Sequence, residues 1–87
     1  MPCELYVERH AEKDLNKLPP SLFSQIAAKI KKLASEPHPR ESKKIKGSIK
    51  DWRLRIGDYR VLYEIDNATK TITIMRIKHR REAYRDL

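Results

Sequence analysis

Two runs of alternating residues joined by Gly57-Asp58 constrain this chain more than any other feature. Trp52-Arg53-Leu54-Arg55-Ile56 alternates strictly, and Tyr59-Arg60-Val61-Leu62-Tyr63-Glu64-Ile65 follows after only two residues. Alternation with period two marks a strand, and a two-residue loop with Gly first suits a type II′ turn, whose twist matches the strands it joins. The loop length also sets the register: Ile56 faces Tyr59, Arg55 faces Arg60, Leu54 faces Val61 and Trp52 faces Tyr63. Trp52, Leu54, Ile56, Tyr59, Val61 and Tyr63 then form one continuous core face. The opposite face carries Arg53, Arg55 and Arg60 together. Placing Arg55 directly across from Arg60 is mildly destabilising unless an anion sits between them, so folding alone does not select the arrangement. A half-solvated sheet face also tolerates arginine, whose stem covers apolar surface, and the remaining cations must decide between the two explanations.

The flanking segments read as follows. Glu4 to Glu8 alternates, with Leu5 and Val7 on one side and Tyr6 on the other, and predicts a first strand. From His10 to Leu18 the residues Ala11, Leu15 and Leu18 trace the stripe of an amphipathic helix, which Pro19-Pro20 ends. Pro20 can open a second helix, where its missing N–H costs nothing. In that helix Phe23, Ile26, Ile30 and Leu33 form the apolar stripe, with Lys29, Lys31 and Lys32 away from it. Pro37-His38-Pro39 stops the helix, and the charged stretch to Lys44 reads as a loop. After the hairpin, Asp66 to Thr69 is a turn and Lys70 to Ile77 a third strand. A polar segment, His79 to Leu87, predicts a short helix. The order predicts an α+β fold: an N-terminal strand, a helical hairpin, an antiparallel β-meander of three strands and a short C-terminal segment, with the helices on one sheet face. Function belongs on the face they leave open.

With 87 residues the chain reads as a single domain, 1–87. Twenty Lys and Arg against 12 Asp and Glu give a net charge of +8, which draws a small protein toward polyanions. Cys3 is the only cysteine, so neither an internal disulfide nor a cysteine metal site is expected, and a reducing, cytoplasmic setting fits best. The N-terminus has no apolar signal region, and no apolar run nears the roughly 20 residues that span a bilayer, so no membrane partner is expected. Toward the end of the third strand come Arg76, Lys78, His79, Arg80 and Arg81, then Tyr84 and Arg85. Guanidinium forks match phosphate bidentately and an aromatic ring stacks on a splayed base, so this constellation suits RNA.

Metal-free RNA cleavage needs a base for the ribose 2′-hydroxyl, cations for the phosphorane and an acid for the leaving 5′-oxygen. Carboxylates are few near the arginines: Glu64 is toward the far end of its strand and Asp58 is in the turn. No paired-carboxylate metal site, zinc spacing, phosphate-cradling Gly-rich loop or nucleophilic triad is present, so neither metal nor cofactor is expected. His10, His38 and His79 are scattered, and only His79 falls within the basic cluster.

Lys44-Ile45-Lys46-Gly47, the block from Trp52 through Gly57-Asp58-Tyr59-Arg60 to Ile65, and His79-Arg80-Arg81-Glu82-Ala83-Tyr84 resemble the RelE toxins of the RelE/ParE toxin–antitoxin superfamily, and the order of elements matches across nearly the whole chain. The resemblance implies a RelE-like, microbial-RNase-like fold and the toxin of a type II toxin–antitoxin system. It further implies an mRNA interferase that inhibits translation, cutting mRNA in the ribosomal A site by 2′-hydroxyl attack without a metal. A RelB-like antitoxin that wraps the toxin is the implied partner. By motif, Arg60 binds the scissile phosphate, Arg80 stabilises charge or donates a proton, and Tyr84 stacks on or orients the substrate. Arg53 and Arg55 stand where some members carry lysines and complete the implied catalytic set; Lys44, Lys46, Lys78, His79 and Arg81 are the implied RNA-binding residues. Arginine stays protonated at accessible pH and is a poor base, which leaves His79 as the better titratable candidate and electrostatic positioning as the fallback. Two rivals stand beside this reading: a ParE-like toxin that poisons DNA gyrase by binding it, and a non-catalytic RNA-binding module. A dense cationic groove also invites an acidic, amphipathic segment, which would silence it by masking.

Overall fold

The computed structural model describes residues 3–82. Strand β1 (Glu4–Val7) leads into helices α1 (Arg9–Asn16) and α2 (Pro20–Leu33), followed by strands β2 (Ser42–Lys44), β3 (Asp51–Ile56), β4 (Tyr59–Asp66) and β5 (Thr71–His79). All five strands form one sheet in the order β1-β5-β4-β3-β2. β2 through β5 are antiparallel, whereas β1 lies parallel to β5, with Leu5 opposite Ile72 and Val7 opposite Ile74. The chain turns helical again at residues 80–82. The α+β class and element order match the expectation; the three-stranded meander does not.

The added antiparallel strand is β2, which falls in the stretch expected to be a loop. It is three residues long and pairs Ser42 with Leu54, Lys43 with Arg53 and Lys44 with Trp52. Short, lysine-rich edge strands resist pairing with other chains, and the composition that protects the edge is what reads as loop in the sequence. The β3–β4 hairpin forms in the expected register, from Ile56 opposite Tyr59 to Trp52 opposite Tyr63. Gly57 has φ +59° and Asp58 has no positive φ, as a type II′ turn requires. The next turn holds four residues, 67–70, so Lys70 belongs to it and not to β5. The Asp66 carboxylate accepts from the backbone N–H groups of Ala68 at 3.0 Å and Thr69 at 3.3 Å, an Asx turn.

A β-bulge in β5 decides which residues reach which face. Leu62 pairs with Arg76 and Tyr63 with Ile74, so Met75 is the extra residue. That insertion flips the alternation. Ile72 and Ile74 point inward before it, Ile77 points inward after it, and Arg76 and Lys78 are turned to the opposite face.

The helices cover one face of the sheet. Ala11 and Leu15 of α1 and Ile26, Ile30 and Leu33 of α2 are buried against Leu54, Val61, Tyr63, Ile72, Ile74 and Ile77. Phe23, expected in the α2 stripe, is 38% exposed, because the buried part of the stripe begins only at Ile26. Val7 shares a side with Leu5, as the alternation predicts, opposite Ile74, and is exposed at the edge strand's end. The Tyr63 hydroxyl, pushed toward higher pKa by burial, donates to the Pro37 carbonyl at 2.9 Å and ties the loop after α2 to the sheet. Asp14 of α1 sits where β5 runs on past the end of β1. Its carboxylate accepts from the Ile77 N–H at 2.9 Å and from Arg76 Nε at 2.9 Å and Nη2 at 3.3 Å. Partial burial opposes ionisation of Asp14, but the hydrogen bonds from Arg76 and Ile77 and the charges of Arg76 and Lys17 outweigh it and hold the carboxyl below its ordinary value. No helix among the described residues is long and apolar enough to cross a membrane.

Candidate functional site

Cross-strand registers sort the face opposite the helices into rows. One runs Lys43–Arg53–Leu62–Arg76, and the next runs Arg55–Arg60–Lys78. Glu41 extends the second row, because its carbonyl accepts the Arg55 N–H at 3.2 Å, one residue beyond the last β2 pair. Toward the other end of the strands the face turns acidic, with Asp51 beside Glu64 and Asp66 beside Thr71 and Glu4. Cations therefore collect at the hairpin end of the sheet.

A cleft of 220 Å³ opens there, lined by Arg40, Glu41, Lys43, Arg53, Arg55 and Arg60. A second, of 210 Å³, shares Lys43 and Arg53 with it and continues along Lys44, Ile45 and Lys46. The two form one trough of positive charge, and a trough with low-dielectric walls focuses its field outward. Arg55 lies across from Arg60, as expected. Arg60 itself is only 6% exposed. Its Nη1 donates to the carbonyls of Gly57 at 3.0 Å and Tyr59 at 2.9 Å, so this guanidinium also holds the hairpin turn. Leu62, in the adjoining row, is buried between the positions of Arg53 and Arg76. The face thus combines cations with an apolar patch under arginine stems.

The remaining expected site residues divide. Lys78 stands opposite Arg60 on the same face. The Arg80 N–H donates to the Asp58 carbonyl at 2.7 Å, which anchors Arg80 at the hairpin turn beside that face. His79 does not join them. It pairs with Tyr59 on the core side, the rings in an edge-on contact with centroids 5.5 Å apart. Its Nδ1 accepts a long 3.4 Å bond from the exposed Arg81 N–H. The alternation past Lys78 carries His79 away from the arginines, which removes it as the titratable partner of Arg55 and Arg60. Tyr84 lies outside the described residues.

Sequence reasoning overlooked Arg40, Glu41 and Lys43. Recognising 42–44 as a strand would have found Lys43, since pairing with β3 puts Lys43, not Lys44, beside Arg53. Among the described residues no group of three or more His, Cys, Asp or Glu is placed to hold a metal ion. Chemically, the described lining of the trough offers guanidinium forks and the ammonium groups of Lys43, Lys44 and Lys46 for phosphate oxygens, and the Glu41 carboxylate.

Residues 5–84 match the family described as the ParE toxin of type II toxin–antitoxin systems, parDE. The chain belongs to this toxin family. Toxin RelG of Mycobacterium tuberculosis is 33% identical over 87 residues, which cover 98% of this chain and 99% of RelG. The structure of the RelBE2 toxin–antitoxin complex from the same organism superposes with a TM-score of 0.80 at 32% identity, covering 92% of this toxin and 100% of that chain. The archaeal RelE–RelB complex from Pyrococcus horikoshii gives a TM-score of 0.81 at 30% identity, covering 92% and 97%. Within the family this is a RelE-type toxin of a type II system, and its cationic trough is the feature that a functional account has to explain.

Proposed function

We propose that this RelE-type toxin is a metal-independent endoribonuclease that cuts mRNA in the ribosomal A site, acting in the cytoplasm. The observation that carries the proposal is the trough in which Arg53, Arg55 and Arg60 line one cleft with Lys43, while Arg80 is anchored to the hairpin turn. A phosphodiester seated over the Arg55–Arg60 pair sets negative charge against this like-charged pairing. Arg53, Arg55 and Arg60 then stabilise the extra negative charge of the phosphorane formed by 2′-hydroxyl attack, with Arg80 beside the leaving oxygen and Tyr84 stacking on a neighbouring base. Lys44 and Lys46, along the second cleft, guide the flanking backbone, and Lys78, opposite Arg60, and Arg81 add charge for the RNA. The ribosome holds the mRNA in a geometry that a small open trough cannot impose alone.

A RelB-like antitoxin fits as the silencing partner. The similar solved structures are RelE–RelB and RelBE complexes, and an acidic, amphipathic segment laid along the trough would compete with RNA for the same cations.

Primer extension on an mRNA in a reconstituted translation reaction tests the assignment, with wild type compared with an Arg53→Ala/Arg55→Ala double variant, Arg80→Ala and Tyr84→Ala. New ends that need ribosomes and fall at least 100-fold in each variant are expected, about the size of losing preorganised charge at a phosphorane. Intact mRNA in every lane would instead favour the second reading, inhibition of DNA gyrase by protein binding, which the parDE family match keeps in view.

A further inference from the structure

Resting on that nuclease reading, we propose that Glu41 is the base that takes the proton from the ribose 2′-hydroxyl. Six described residues line the 220 Å³ cleft, and five of them, Arg40, Lys43, Arg53, Arg55 and Arg60, carry cationic groups that donate hydrogen bonds and have no lone pair with which to accept a proton. Glu41 alone among them offers acceptor oxygens. Its position follows from the strand register. Ser42 pairs with Leu54 on the helix side, so Glu41 and Lys43 on either side of it face outward. The bond from the Arg55 N–H to the Glu41 carbonyl, 3.2 Å, puts Glu41 at the end of the row that continues through Arg55 and Arg60. A phosphate over that pair has its ribose within reach of the row's end.

The other described carboxylates on or near this face do not line the cleft: Glu82 stands near enough to Arg76 to join Asp14 in raising that guanidinium's pKa, and Glu4 is at the acidic end beside Thr71. Glu64 lies in the next rows toward the acidic end, between Asp51 and Thr73. Asp51 accepts from the Ser48 hydroxyl at 2.9 Å. The Asp66 carboxylate holds its own turn, and Asp14 is taken by Arg76 and the Ile77 N–H. Asp58 sits in the hairpin turn and does not line the cleft. His79 faces Tyr59 on the core side. Glu41 is also exposed, so an incoming ribose can reach it without displacing protein.

The step balances without a co-reactant. Glu41 takes the 2′-hydroxyl proton as O2′ bonds to phosphorus, and the phosphorus–O5′ bond breaks. The products are a 2′,3′-cyclic phosphate and a 5′-hydroxyl, whose proton comes from solvent water, and Glu41 returns its own proton to solvent.

The test uses the full-length toxin and ribosomes programmed with a defined mRNA, comparing wild type, Glu41→Gln, Glu41→Asp and, as a control in the adjacent groove, Glu36→Gln. The cleavage rate and the affinity for programmed ribosomes are measured separately. Glu41→Gln is expected to lower the rate by about 10²–10⁴-fold, the usual worth of a positioned base, with affinity unchanged or tighter. Glu41→Asp is expected to recover part of the rate, and Glu36→Gln all of it. A Glu41→Gln protein that cuts within threefold of wild type, while wild type itself cuts, overturns the assignment of Glu41 and leaves the nuclease reading standing. Wild type that makes no cuts overturns both.

Discussion

Arg60 lies on the outward face of β4, yet only 6% of it is exposed. Its guanidinium bends back over the hairpin turn and donates to Gly57 and Tyr59 carbonyls, while the same residue lines the cleft. One side chain thus sets the shape of the turn and offers charge to a ligand. Removing it takes a charged donor from two carbonyls, and Arg60→Ala is expected to cost about 1.5–3 kcal/mol, the range for hydrogen bonds from a charged donor. For a domain of this size that lowers Tm by roughly 10 °C. Arg60→Lys should recover only part, because an ammonium cannot reproduce the planar fork. Thermal melts of the two variants check this, and an Arg60→Ala protein that melts with wild type would refute the turn-holding role. The pairing of Arg55 with Arg60 was legible in the sequence, since loop length fixes register. The burial of Arg60 was not, because no alternation pattern records where a long side chain folds back. His79 shows the opposite failure: its place in a basic run read as membership of the site, whereas parity puts it on the Tyr59 side.

At the scale of elements, the hairpin, both helices and the core face follow from local patterns. Two features depend on distant residues and left no such pattern. One is β2, whose three residues form a strand only because β3 offers an edge. The other is the join between α1 and β5. β1 stops opposite Ile74, and Asp14 then takes over the edge of β5 by bonding the Ile77 N–H and Arg76. The bulge at Met75 immediately precedes the join and turns Arg76 away from the core. Asp14→Ala is expected to cost about 2–3 kcal/mol, because it leaves a strand N–H and a guanidinium without their shared acceptor. The pH dependence has a definite sign. The folded state lowers the Asp14 pKa below its ordinary 3.8, so its stabilisation is fully present above that value and is lost as pH falls through the lower folded value. Denaturant melts should show wild type weakening below about pH 4 more steeply than Asp14→Ala. Equal acid slopes would remove Asp14 as the cause.

At the scale of the molecule, the net charge of +8 is distributed unevenly, cations gathering at the hairpin end of the outer face and carboxylates at the other. A polyanion therefore meets an oriented field, and its binding should depend steeply on salt. With the five cations of the arginine-lined cleft engaged, the affinity for single-stranded RNA should fall with a log–log salt slope of about −3 to −4, and Arg53→Ala should reduce the slope by about 0.7. Titrations between low and physiological salt would read both, and a slope near zero would deny the trough any part in RNA binding. The chain's charge announced an anionic partner from composition alone, but the site that receives it required β2 to be seen, since Lys43 and Glu41 enter the cleft only through that strand. The sheet order has a consequence for the toxin's birth. β5, made after the four other strands, is inserted between the first strand and β4. Until it arrives, β1 has no neighbour to pair with, Asp14 has no edge to hold, and the inner residues of β4 lie open on one flank. The sheet is therefore one that only its latest strand can join up, and everything the first strand and Asp14 do for stability waits on it.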